Sequence, residues 1–117
     1  MIWAKVASLL LFIGVILGAF GSHALKDKLS PYAIDVFKTG VLYHLIHALG
    51  LFAVAWVSTQ TANPKTFWAG LFLTIGIALF SGSLYLLAVT GIKIFGAITP
   101  LGGISFLTGW FLLFLSI

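Results

Sequence analysis

The sequence predicts an all-α fold, an integral membrane four-helix transmembrane bundle in one domain covering residues 1–117. Three observations predict it. Of the 117 residues 62% are hydrophobic and 7% charged, with a mean hydropathy of +1.22. Four apolar runs approach the roughly 20 residues that cross a hydrocarbon core, and a small polar residue followed by proline precedes three of them. A soluble domain carries about a quarter charged residues to cover its surface, so these runs face lipid or one another.

The first span, residues 3–21, enters through Trp3 and Lys5 and leaves at the polar segment Ser22 to Ser30. A tryptophan at that place is an interfacial anchor. The same features also fit a cleavable signal peptide, with Lys5 as its basic region and Ala19, Gly21, Ser22 and Ala24 as small residues for cleavage.

Ser30 and Pro31 form a helix start, a hydroxyl to cap free amides and a ring preset for the first helical position. The helix that follows places Asp35 and Lys38 in the headgroup layer and spans the membrane over 36–57, closing on Trp56. Asn63 and Pro64 repeat the device before a span over 67–89. Thr99 and Pro100 repeat it again, after a loop from Thr90 to Ile98, before a span over 100–117.

An even number of spans puts both termini on one side. Lys26, Lys28, Lys38 and Lys93 adjoin the first and third loops, against Lys5 and Lys65 at the other face. Positive loops stay in the cytoplasm, which predicts extracytoplasmic termini in a multi-pass inner-membrane protein. These scattered lysines are headgroup anchors and do not form the clustered basic face that nucleic acid requires.

Lipid tails are as apolar as leucine, so helices in a bilayer associate through close packing and hydrogen bonds, and small residues mark the contact lines. Gly14 and Gly18 make a GxxxG pair; Gly40, Tyr43, His47 and Gly50 share one face of the second helix; Gly82, Gly102 and Gly103 extend such stripes onto the last two. The stripes serve either packing within the chain or the lining of a cavity.

Titratable groups inside spans are costly and face a bundle interior or a water-filled cavity. His47, midway along the second helix and one turn past Tyr43, is the strongest candidate of this kind. Its partners would be Ser81, Ser83 or Tyr85, either as helix glue or as the lining of a pocket with His23 at its mouth. His44 and His47 are near neighbours on the helix, but a metal site wants three or four ligands, so neither metal nor cofactor is expected. No nucleophile elbow, phosphate loop or carboxylate pair is present, so no catalytic residue is assigned.

The motifs as a set carry a resemblance. Gly18-Ala19-Phe20-Gly21-Ser22-His23-Ala24-Leu25, Tyr43 through His47-Ala48-Leu49, Phe80-Ser81-Gly82-Ser83-Leu84-Tyr85, and Gly96-Ala97-Ile98-Thr99-Pro100-Leu101-Gly102-Gly103 with Gly109-Trp110 together resemble the domain of unknown function 423 family of small inner-membrane proteins. The resemblance covers nearly the whole chain. It implies that the first helix is part of the folded body and is not cleaved. It carries over His23, Tyr43, His47, Ser81, Ser83, Tyr85 and Thr99 as site residues. A Gln is common in that family's pattern at the position of His44, which weighs further against a two-histidine metal site. No function comes with it.

Two functions remain open. In the first, the chain is a structural or assembly subunit that packs through its glycine stripes, within itself, as a homo-oligomer, or in a larger membrane complex. In the second, the His, Tyr and Ser set binds or transports a lipid, quinone or small amphiphile. Membrane lipids are expected partners in both. An enzyme has no positive signature here, and ion conduction lacks a ring of charge.

Overall fold

Without water to bond to, a backbone in hydrocarbon must satisfy its own amides and carbonyls within each segment, which a helix does. The computed structural model describes residues 1–117, and 85 of its 97 backbone hydrogen bonds lie within helices, with no strand present. Four helices are long and apolar enough to cross a membrane: α1 (Ile2–Leu25), α2 (Pro31–Gln60), α3 (Lys65–Thr90) and α4 (Ile94–Ser116). The chain is therefore a four-helix membrane protein.

The Ser30–Pro31 start signal works as expected, and at Asn63–Pro64 the helix starts one residue later, at Lys65 with Pro64 at the cap position. The Ser30 hydroxyl accepts the Ala33 amide at 3.1 Å with Pro31 in the first turn. Asn63 Oδ1 accepts the Lys65 amide at 3.0 Å. The third is a correction, because Pro100 does not start α4 but lies inside it, and the helix begins at Ile94. Gly91, with φ of 70°, closes α3 tightly enough that the chain turns around within a few residues. Proline removes one helical hydrogen bond, whereas ending the helix there would leave several groups unpaired in lipid, so the helix runs through it.

Two wider turns interrupt the regular winding, Ile16–Gly21 in α1 and Ile77–Ser81 in α3. Each bonds i to i+5, and the inserted residue rotates the face beyond it by about 100°.

The helices pack in chain order, α1 on α2, α2 on α3 and α3 on α4, while the backbones of α2 and α4 stay apart along most of their length. Glycines set how close they come. A Cβ on Gly102 would run into the backbone of Phe80, so α3 and α4 touch main chain to main chain there. Gly14 faces Leu45 and His44, Gly18 faces Val41, Gly40 faces the Tyr85 ring, and Gly50 lies under Trp110. These stripes thus serve contacts within the chain. Gly82 is an exception, with open space on its Cα face, and Gly103 only reaches the edge of Phe80 at 4.0 Å.

Hydrogen bonds between helices complete the packing. Ser105 donates to the Phe72 carbonyl at 2.6 Å, and the Ser83 and Thr99 hydroxyls lie 2.6 Å apart, both joining α3 to α4. His44 does more than either. Its Nε2 lies 2.7 Å from the Leu10 carbonyl of α1, and its Nδ1 lies 2.8 Å from the Tyr85 hydroxyl of α3.

A carbonyl only accepts, so Nε2 carries the proton. In the neutral ring Nδ1 then accepts from the phenol. The missing Cβ of Gly14, which would sit 3.3 Å from His44 Nε2, gives the ring room to reach α1.

One donor and one acceptor are also what a glutamine amide offers. His44→Gln should therefore keep the thermal stability of the purified protein within a few degrees of the parent. His44→Leu should lose about 1–3 kcal/mol, the sum of two membrane hydrogen bonds. Thermal unfolding in a mild detergent measures both, and equal losses for the two variants would contradict the bridge.

Candidate functional site

Because the backbones of α2 and α4 stay apart and only side chains meet between them, a groove runs there with α3 as its floor. It has a volume of about 420 Å³ and is lined by Tyr43 and His47 from α2, Phe80 from α3, and Pro100, Gly103, Ile104, Phe106, Leu107 and Trp110 from α4. That volume is within the range of small-molecule sites. Since α2 spans Pro31–Gln60, His47 places the groove near the middle of the membrane.

His47 is held by aromatic rings. It stacks on Phe106 with ring centroids 3.5 Å apart and planes 11° from parallel. Trp110 lies 5.7 Å away at a tilt, and Tyr43 stacks at 5.9 Å. Glycines make this possible, because Gly76 leaves the space that Phe106 fills and Gly50 the space that Trp110 fills. His47 as a whole is 6% exposed.

Its hydrogen bonding is one-sided. Nδ1 lies 2.7 Å from the Tyr43 carbonyl one turn earlier, so Nδ1 carries the proton and donates it. Nε2 bonds nothing in the chain, on a residue that lines the groove. The two neighbouring histidines are thus opposite tautomers: His44 has both nitrogens engaged between helices, and His47 has one acceptor to spare.

An uncharged imidazole acceptor among apolar and aromatic walls is suited to receive a hydrogen bond from a hydroxyl or N–H group of a lipid-soluble molecule. Flat ring systems fit the aromatic walls by stacking. No group of three His, Asp or Glu side chains converges anywhere in the chain.

The residues the sequence singles out for the site divide into two groups. Tyr43 and His47 meet in the groove. Tyr85 instead bonds His44 and packs on Phe37 at 5.1 Å, and Ser83 and Thr99 bond each other. Ser81 is fully buried with an unpaired hydroxyl. His23 lies exposed on the last turn of α1 and lines no cavity.

Phe106 is not among the residues the sequence singles out, and Trp110 stands there only in the last motif and not as a site residue, because polar residues define that set. The spacing of Pro100, Gly103, Leu107 and Trp110, three or four residues apart, marks a single helix face and was the signal available.

The chain is similar to known membrane proteins along most of its length. The family model described as protein of unknown function (DUF423) matches residues 17–103. The UPF0382 membrane protein YwdK of Bacillus subtilis is 48% identical over 102 residues, covering 86% of this chain and 83% of the relative. A UPF0382 membrane protein of Staphylococcus haemolyticus is 46% identical over 99 residues, covering 85% and 80%. The UPF0382 inner membrane protein YgdD of Escherichia coli K12 is 38% identical over 102 residues, covering 87% and 78%. No solved structure matches the chain. The matched region takes in the end of α1, all of α2 and α3, and the Pro100 to Gly103 end of the groove, and the chain belongs to the DUF423 family of membrane proteins of unknown function.

Proposed function

We propose that this protein binds a lipid-soluble molecule bearing a hydroxyl or N–H donor, held in the α2–α4 groove by a hydrogen bond to His47 Nε2. The observation that carries this reading is the unpaired Nε2 lone pair on a buried ring that lines an open groove within the span. Intramembrane polar groups are costly unless they serve a partner or a function. An alcohol, a phenol or a hydroquinone supplies the donor, whereas an oxidised quinone offers only acceptors and does not pair with this lone pair.

An assembly role through glycine stripes has less support. Gly14, Gly18, Gly40, Gly50 and Gly102 each face a neighbour of the same chain, which leaves them no free seam for a second copy or a larger complex. Membrane lipids are then the surroundings and the source of the bound molecule.

Purified gently from its own membrane, the protein should retain a small-molecule adduct in native mass spectrometry. His47→Leu keeps the ring's packing volume and removes the acceptor, so the adduct should fall by about fivefold, the worth of one net hydrogen bond of about 1 kcal/mol. An unchanged adduct on the variant would sink the proposal.

We also propose that both termini lie outside the cytoplasm, with the loops carrying Lys26, Lys28 and Lys93 inside. The chain has no cysteine, which makes labelling simple. In whole cells a membrane-impermeant maleimide should label Ala62→Cys and spare Lys26→Cys; the reverse pattern would invert the topology.

A further inference from the structure

A second cavity, sharing no residue with the groove, opens where the first turn of α1, the end of α2 and the start of α3 meet. Its volume is about 440 Å³. Trp3 and Phe67, with ring centroids 5.6 Å apart, form an apolar wall, and Ser58, Thr61, Asn63 and Thr66 supply polar lining. Trp56, Trp68, Lys5 and Lys65 belong to the same ends of the helices, the residue types that mark the headgroup layer.

Thr66 is the anomaly in this cavity. It is 3% exposed, yet its hydroxyl has no hydrogen-bond partner. Several other helical hydroxyls donate to the carbonyl four residues back, as Ser58 does to Val54 at 2.8 Å and Thr74 to Gly70 at 2.8 Å. For Thr66 that position is Ala62, which lies in the loop before α3, so no helical carbonyl is within its reach. Asn63 is half-used: its Oδ1 accepts the Lys65 amide, which turns the side-chain NH2 away as a free donor.

We propose that this cavity seats the glycerol-ester region of a membrane phospholipid, with its ester or phosphate oxygens accepting from the Thr66 hydroxyl and the Asn63 amide. Donors without acceptors call for an acceptor-rich ligand. The Trp3–Phe67 wall calls for one with acyl chains, and the position at the helix ends is the depth at which phospholipid esters lie. A free phosphate ion would meet the donors but not the wall.

The full chain, stripped of lipid in detergent and titrated with phosphatidylglycerol, reads this out in native mass spectrometry. Thr66→Val is isosteric and should fold; the lipid-bound fraction should fall about fivefold, and Asn63→Ala should act in the same direction. Millimolar inorganic phosphate should not displace the lipid, and His47→Leu should leave it bound, which separates this site from the groove. Added lipid should raise the unfolding temperature of the parent more than that of Thr66→Val. Equal lipid binding by Thr66→Val, displacement by phosphate, or the same thermal loss in Thr66→Val with and without lipid would each overturn the proposal.

Discussion

In a bilayer, burying apolar surface no longer drives helices together, and the work passes to close backbone contact and to hydrogen bonds between helices. His44 supplies the hydrogen bond on which the others depend, because it is the one side chain that bonds two helices besides its own. From α2 it donates to the Leu10 carbonyl of α1 and accepts from Tyr85 of α3. Most of α1 faces outward, so its attachment rests on this bond, on the Gly14 and Gly18 contacts beside it and on Trp3 against Gly70 at the other end.

Once α1, α2 and α3 are fixed in this way, α4 is left to pack on α3. It does so through Gly102 against the Phe80 backbone and Gly109 against Leu73, and that close fit draws α4 away from α2. The groove is the space that results. Phe106 and Trp110 reach back across it toward His47, so the packing that holds the fold also sets the aromatic surround of the intramembrane histidine with an acceptor to spare. The chain divides its two intramembrane histidines between these tasks, one closed into the fold and one open to a ligand.

Much of the fold was legible in the sequence because hydropathy, span length and the polar residue–proline pairs are local signals. Ser30–Pro31 meant what it usually means, and Asn63–Pro64 did so one residue early, with Pro64 rather than Asn63 at the cap. Thr99–Pro100 did not, since a helix in lipid tolerates a proline that a helix in water would end at, and the Thr99 hydroxyl had been recruited by Ser83 across the interface. Gly14, Gly18, Gly40, Gly50 and Gly102 of the glycine stripes lie against a neighbour, whereas Gly82 faces open space and Gly103 only reaches the edge of Phe80. The histidines were harder. The depth of His47 is legible in the sequence, yet which nitrogen of His44 or His47 finds which partner depends on the rotation of α1 and α3 about their wider turns, and periodicity does not encode that rotation. The aromatic side of the groove could be seen only by counting apolar residues on α4 as a face.

The division between the two histidines has a direct spectroscopic signature. Solid-state NMR of the protein with ¹⁵N-labelled histidine, reconstituted in bilayers, reports which ring nitrogen carries the proton. His44 should be protonated on Nε2 with Nδ1 as a hydrogen-bonded acceptor, and His47 on Nδ1 with Nε2 as the acceptor. A His44 protonated on Nδ1 alone, or a His47 protonated on Nε2, would contradict the bridge and the open acceptor on which this account rests.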